Sequence, residues 1–405
     1  METTKQELQK LIIANIDLSK EVCDEELLDL IDETLRQRSK ENYLSMKEKQ
    51  RLRKDIFNAI RRLDILQELI EDSEITEIMV NGPKQIFIER KGKITKWERE
   101  FESEQKLEDI IQHIVSGANR IINESSPIVD ARLMDGSRVN IVLPPVAIEG
   151  PTVTIRKFPK ETMTMEHLIE LGSVTEEVAR ILKKLVIAGY NIFISGGTGS
   201  GKTTFLNALS NYIPNDERVI TIEDSAELQI KNIPNLVRLE VRNANTEGKN
   251  EVTIRDLIKS SLRMRPDRII VGEVRDASSI DMLQALNTGH CGMSTGHSNS
   301  PRDMLSRLET MVLLGADIPL LAVRNQIASA IDIVIHLGRL RDKSRKVLEI
   351  VEVLNCIDGE IEINPLYRFM EEGEGPKGEV IGKLQKTGNQ LIQLQKLNHS
   401  GLELN

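Results

Sequence analysis

The stretch ISGGTGSGKTTFL, Ile194 to Leu206, carries the residue types needed to hold a polyphosphate. Gly196, Gly201, Lys202 and Thr203 stand at the spacing of a phosphate loop, with Gly197, Thr198, Gly199 and Ser200 between them and Thr204 following. Glycines let the main chain curl until its N–H groups point at phosphate oxygens, and a helix opening at Lys202 adds the positive end of its dipole. Lys202 is placed to bridge the β- and γ-phosphates and the Thr203 hydroxyl to ligate Mg²⁺. The apolar run NIFIS just before the loop reads as the strand this arrangement requires. The implied ligand is a nucleoside triphosphate, ATP, with Mg²⁺.

Such a site needs acids to hold the metal and position water. RVITIEDSAEL reads as a strand ending in Glu223, Asp224 and Glu227. RIIVGEVRD reads as a buried strand ending in Gly272 and Glu273. The second has the shape of a Walker B strand, although its acid is Glu rather than Asp and a glycine precedes it. Glu223 joins the expected nucleotide contacts, and Glu273 the expected Mg²⁺ ligands beside Thr203.

TGHCGMSTGHSNS, Thr288 to Ser300, holds two of the six histidines and one of the three cysteines. His290, Cys291 and His297 suggest zinc at first sight. The histidines are seven apart across a glycine-containing run, and no second Cys or His pair completes a four-ligand set. Cys291 lacks an activating base–acid pattern and reads as a buried structural thiol. The position after the Walker B strand puts both histidines near the γ-phosphate, where a neutral imidazole hydrogen-bonds a carboxylate such as Glu273 and the phosphate side.

The elements that position these groups follow from periodicity. After Thr164, strands NIFIS, RVITI, LVRLEV and RIIV, all buried-strand candidates, alternate with helical segments such as VTIRDLIKSSLRM, capped by Thr253. Alternation of this kind predicts an α/β domain over residues 165–405, a largely parallel sheet covered by helices. Residues 66–160 read as an α+β domain. EITEIMV and QIFIERKGKITKW are its first strands, with Lys91-Gly92 as a turn. In its helix, Leu107, Ile110, Ile111, Ile114, Ala118, Ile121 and Ile122 form one stripe. Asp135-Gly136 suits a tight primed turn, PTVTIRKFP adds a strand, and Pro159 helps close the module. Residues 1–65 read as helices, with Leu27, Leu28, Ile31 and Leu35 on one face. The basic run Lys47 to Arg62 reads as a solvated helix face, or else as a contact for anionic lipid or an acidic partner.

Bulk properties narrow the function. A net charge of −9 argues against a nucleic-acid binder driven by phosphate neutralisation, and 3% aromatic residues against a stacking platform for single strands. Three scattered cysteines favour a reducing cytosol. No apolar run approaches the ~18 residues of a membrane span, and the first residues show no signal peptide.

The ordered set GGTGSGKTT, TIEDSAEL, MRPDRIIVGEVRD and TGHCGMSTGHSNSP resembles the Walker A loop, Asp box, Walker B strand and His box of the type II and type IV secretion and pilus-assembly ATPases. EITEIMVNGPKQIFIERKGKI, DGSRVNIVLPPVAIEGPTVTIRKF and QIASAIDIVIHLGRLRDKSRKV resemble its Tad/Flp-pilus (CpaF-like) branch, and the likeness runs over roughly residues 20 to 405. The resemblance implies a RecA-like P-loop ATPase domain behind an α+β N-terminal domain and an N-terminal helical segment. It also implies a homohexameric cytoplasmic ring at the inner face of the cytoplasmic membrane, acting on a platform protein to extrude pilins or export protein. Glu227 matches the proposed general base, Glu273 the Walker B glutamate, and His290 and His297 the two His-box histidines. Arg138 and Arg156 match N-domain arginines supplied to the nucleotide across the domain cleft. Ser225 stands where relatives often have proline or alanine, and Cys291 sits inside the His box; neither removes a catalytic group. A RecA-like nucleic-acid motor and an ATP-binding switch with negligible turnover are the alternatives.

Overall fold

The computed structural model describes residues 2–16, 22–90, 92–118, 120–158, 163–242, 244, 250–376 and 378–404. The chain forms two compact units, Met1–Lys160 and Glu161–Asn405.

The first unit begins with three helices, α1 (Glu2–Asn15), α2 (Asp24–Glu41) and α3 (Met46–Arg61). Ser45 and Glu48 form a capping box that fixes the start of α3. Leu8, Ile12, Leu27, Ile31, Leu35, Leu52 and Ile56 close a core among the three. The basic residues of α3 find acids within the same unit: Arg53 pairs with Asp32, Lys54 with Glu71, and Arg61 and Arg62 with Asp24. The positive run is therefore largely matched by its own surroundings. Next come α4 (Leu66–Glu71), β1 (Ile75–Asn81), β2 (Ile86–Arg90), β3 (Lys93–Lys96), α5 (Glu104–Gly117), β4 (Ile128–Arg132), β5 (Arg138–Val142) and β6 (Thr152–Arg156). The strands make an antiparallel sheet in the order β3-β2-β1-β6-β5-β4.

Two details differ from the sequence reading. α5 ends at Gly117 with Ala118 as its cap, so Ala118 and the exposed Ile121 leave the apolar stripe while Leu107, Ile110, Ile111 and Ile114 stay on it. The β4–β5 connection is not a two-residue primed turn. Leu133 N–H donates to the Ser137 carbonyl, only Gly136 has positive φ, and the Asp135 carboxylate takes the Ser137 amide at 2.9 Å. Lys91 and Pro159 lie outside the described residues.

The second unit runs through α6 (Met165–Glu170), α7 (Glu176–Ile187), β7 (Ile192–Gly196), α8 (Lys202–Ser210), β8 (Val219–Glu223), β9 (Leu236–Glu240), α9 (Ile254–Ser261), β10 (Arg268–Val271), α10 (Ser279–Asn287), β11 (Cys291–Gly296), α11 (Pro301–Gly315), α12 (Leu320–Ala330), β12 (Ile333–Arg339), β13 (Arg345–Ile357), β14 (Glu360–Glu374), β15 (Val380–Lys386) and α13 (Gln395–His399). Its nine strands form one sheet in the order β15-β14-β13-β12-β7-β11-β10-β8-β9. The stretch from β12 to β9 is parallel, and β13, β14 and β15 extend it antiparallel. Every residue of β7, β8 and β10 is buried, as expected for strands covered on both faces. LVRLEV departs from the buried-strand reading: β9 is the edge strand and half-exposed. One apolar core packs α7 and α8 on one sheet face and another packs α9 to α12 on the other. This is the α/β, RecA-like P-loop architecture, with the α+β unit and the helical segment before it.

The C-terminal segment is fastened to the opposite end of the strands from the phosphate loop. The Glu352 carboxylate, 1% exposed, accepts from the Ile392 and Gln393 amides at 3.0 and 2.7 Å and from Asn364 Nδ2 at 2.8 Å. Asp332 accepts from the Asn191 amide at 2.6 Å and from Lys396 Nζ at 2.5 Å. No helix among the described residues is long and apolar enough to cross a membrane.

Candidate functional site

In a parallel sheet the strands end together, so the loops after β7, β8, β10 and β11 emerge on one edge. Registers Ser195↔Gly296, Ser294↔Val271 and Val271↔Ile222 bring these four ends level. The loop after β7 is Gly197–Gly201 and opens α8. Gly196 has φ +154°, and a Cβ there would stand 2.4 Å from the Leu337 carbonyl oxygen and 2.6 Å from Ser200 Oγ. Gly201 caps α8 with a left-handed φ of +93°. The glycines thus permit both the crowding and the sharp turn into the helix.

Lys202, 8% exposed, turns its ammonium back on the loop, donating to the Gly196 and Gly197 carbonyls at 3.1 and 3.0 Å. Burial lowers its pKa, and the nearby Glu273 charge opposes that shift. Thr203 and Thr204 are half-buried on the first turn of α8. Ser200 Oγ is buried with no hydrogen-bond partner among the described residues.

His297, just past β11, joins the phosphate loop to the Walker B strand. Its Nδ1 lies 3.2 Å from Lys202 Nζ, and its Nε2 lies 3.0 Å from Glu273 Oε1. An ammonium can only donate, so Nδ1 is the acceptor and Nε2 carries the hydrogen that Glu273 receives. Burial first, then the Lys202 charge, push the imidazole pKa below its ordinary value, which favours this neutral tautomer.

The Asp-box acids divide their work. Glu223 is 3% exposed, and its Oε2 accepts from the Glu227 and Leu228 amides at 2.7 and 2.9 Å. The sequence reading placed Glu223 among the nucleotide contacts; the structure instead buries its carboxylate under the loop that carries Glu227. Burial raises its pKa, partly offset by those two amides. Its Oε1 is buried without a partner among the described residues. Glu227 itself is half-buried. Asp224 pairs with Arg275, which ties the loops after β8 and β10 together. The glycine before Glu273 also has a cause, because a Cβ on Gly272 would sit 3.0 Å from Glu223 Cγ.

His290 lies away from these groups. His290 precedes β11 while His297 follows it, so the two stand at opposite ends of the strand, about 20 Å apart at ~3.3 Å per residue. His290 Nδ1 instead meets Thr288 Oγ1 and the Ala285 carbonyl, each at 3.2 Å. The expectation that both histidines flank the γ-phosphate is corrected for His290: a seven-residue spacing through an extended strand separates them. Cys291 is half-buried, its Sγ 2.8 Å from where a Gly189 Cβ would stand. Arg138 and Arg156 are direct cross-strand partners on β5 and β6 of the first unit, and Arg156 lies 3.8 Å from Glu77.

Three residues at this edge escaped the sequence reading. His336 on β12 is buried, its Nδ1 2.9 Å from Ser195 Oγ, and burial lowers its pKa. Arg345 Nε donates to the Gly199 carbonyl at 2.8 Å, and Arg339 is its cross-strand partner. HLGRLRDKSR shows no spacing that marks them, since only the β12–β7 register brings this hairpin to the phosphate loop.

The arrangement suits a nucleoside triphosphate. It offers a glycine cradle, a buried ammonium, a threonine on the first helical turn and a carboxylate at a neighbouring strand end.

A family model described as "Type II/IV secretion system protein" matches residues 60–374. A Mycobacterium tuberculosis protein named for conjugal transfer is 35% identical over 305 residues, covering 74% of this chain and 86% of its own. The type IV secretion system protein VirB11 of Bartonella henselae is 32% identical over 333 residues, covering 72% of this chain and 92% of its own. The crystal structure of the pilus retraction motor PilT with bound ADP shares the fold, with a TM-score of 0.52 and 19% identity over 84% of this chain and 87% of that one.

Proposed function

Since the chain belongs to the type II/IV secretion system protein family, we propose that it is an ATP-hydrolysing motor that powers pilus assembly or protein secretion across the cytoplasmic membrane. It works as a homohexamer on an inner-membrane platform protein. The observation that carries the reading is the line Lys202–His297–Glu273, which joins the phosphate-loop ammonium to the Walker B carboxylate through one imidazole.

In this reading the Lys202 ammonium leaves the Gly196 and Gly197 carbonyls for phosphate oxygens, and the loop amides complete the cradle. Thr203 and Glu273 would hold Mg²⁺, which would supply neutralisation of phosphate charge. Glu227 takes a proton from the attacking water, and Glu223 positions it by gripping its backbone amide. His297 reports the state of the γ-phosphate side to Glu273. We assign to Arg138 and Arg156 the stabilisation of charge on the transferred phosphoryl group; their side-by-side placement on β5 and β6 supports that role.

Steady-state phosphate release by the purified protein tests the proposal. Lys202→Ala should lose both nucleotide binding and turnover. Glu273→Gln should keep binding and lose kcat by about 10²–10³-fold. Full turnover in Glu273→Gln removes Glu273 from the mechanism, and no ATP turnover by the wild type with platform protein present removes the motor.

A further inference from the structure

We propose that Arg339 and Arg345, facing each other across the mouth of the β12–β13 hairpin, form the wall against which the nucleoside half of the bound nucleotide rests. This deepens the ATP reading and depends on it.

The sheet order sets the direction of the ligand. Glu273, the Glu227 loop and His297 all emerge from β10, β8 and β11, on one flank of β7. The γ-phosphate end therefore points to that flank, and the remainder of the nucleotide leaves the loop towards the other. The strands on that other side are β12 and β13.

Their hairpin presents two guanidinium groups. Arg345 Nε is fixed by the Gly199 carbonyl at 2.8 Å, and its Cδ lies 3.5 Å from the place a Gly201 Cβ would take. Arg339 Nη1 lies 3.9 Å from the corresponding place on Gly199. Both side chains therefore lie along the loop between its glycines. Both are exposed, and among the described residues neither has an acid within ion-pair distance. Arg341, between them, has two, Glu371 and Glu374. Like charges directly opposite on a hairpin repel one another, so this pair is kept for something outside the hairpin.

The hairpin is also rigid. Asp342 accepts from the Ser344 amide at 2.9 Å, the Ser344 hydroxyl at 2.7 Å and the Val380 amide at 2.8 Å. A planar cation held at a fixed height beside a phosphate loop suits a purine face. Guanidinium groups donate only, and stacking reads no exocyclic group. The wall should accept adenine and guanine nucleotides alike.

The test measures ADP and inorganic tripolyphosphate affinities by calorimetry, in the full chain and in the double variant Arg339→Ala/Arg345→Ala. Because both side chains are exposed, the variant should fold, with an unchanged melting temperature as the control. ADP should bind about tenfold more weakly, the size of one or two guanidinium–aromatic contacts. Tripolyphosphate, which has no nucleoside, should bind equally well to both proteins. Wild-type affinities for ATP and GTP should agree within about fivefold, as stacking without edge contacts implies. Equal weakening of tripolyphosphate places the arginines on the phosphates and overturns the proposal, as does unchanged ADP binding or a strong ATP-over-GTP preference. If the wild type binds neither ligand, the ATP reading itself falls. Unchanged ADP binding in the variant sinks this proposal alone.

Discussion

Replacing His297 with alanine removes two contacts at once: acceptance from Lys202 Nζ at 3.2 Å and donation to Glu273 Oε1 at 3.0 Å. A hydrogen bond to a charged group is worth about 1.5–3 kcal/mol. Here the side chains of His297 and Glu273 are 39% and 33% exposed, so solvent screening reduces each contact to about 1 kcal/mol. If the two bonds hold Glu273 and Lys202 in their working arrangement, their loss of about 2 kcal/mol should lower kcat about 30-fold. ATP affinity should change little, because Lys202 keeps its phosphate partners. The acid side of the pH profile is a second readout. His297 has its pKa lowered from 6.5 in the folded protein, so between that lowered value and 6.5 the folded state binds fewer protons than the unfolded one. Its contribution to stability is present above 6.5 and is lost as pH falls through this window. Turnover should follow, flat above 6.5 and declining below it, because a protonated ring has no acceptor left for Lys202. Steady-state kcat and KM from pH 5 to 8, together with ATP binding, check both parts. A His297→Ala enzyme within about twofold of wild-type kcat, against the ~30-fold expected from the bond energies, or one keeping the same acid limb, refutes the reasoning.

Two further outcomes follow from packing. Gly196→Ala should abolish nucleotide binding, because the new methyl group meets the Leu337 carbonyl at 2.4 Å and Ser200 Oγ at 2.6 Å. Relieving that overlap should destabilise the unit by about 1–3 kcal/mol, visible as a lower melting temperature. Glu352→Ala should leave nucleotide affinity unchanged yet destabilise the second unit by about 1–3 kcal/mol in denaturant melts, since one buried and two partly buried donors lose their carboxylate.

The phosphate loop, the strand before it and the order of the acidic strands were legible because each is local: one short stretch supplies both residue types and spacing. What the stretches do to one another was less so. Glu223 and Glu227 look equivalent in TIEDSAEL, but the first is the buried last residue of β8 and grips backbone, while the second is half-buried in the loop that follows. His290 and His297 look like a pair until the residues between them are drawn out as a strand. Arg339, Arg345 and His336 gave no signal, since their proximity to the loop depends on β12 pairing with β7 across more than a hundred residues. α5 ends at Gly117, before the last residues of its apolar stripe.

The contact between Gly272 and Glu223 makes two distant letters of the sequence one unit of inheritance. A methyl group on residue 272 would meet Glu223 Cγ at 3.0 Å, so it is tolerated only if the side chain at 223 retreats. The Glu223 carboxylate accepts from the Glu227 and Leu228 amides, so its retreat lengthens both hydrogen bonds. Substitutions at the two positions therefore cannot contribute independently. Lineages that lose this glycine are expected to have rebuilt the acidic loop as well, so the pair should drift together or stay fixed together.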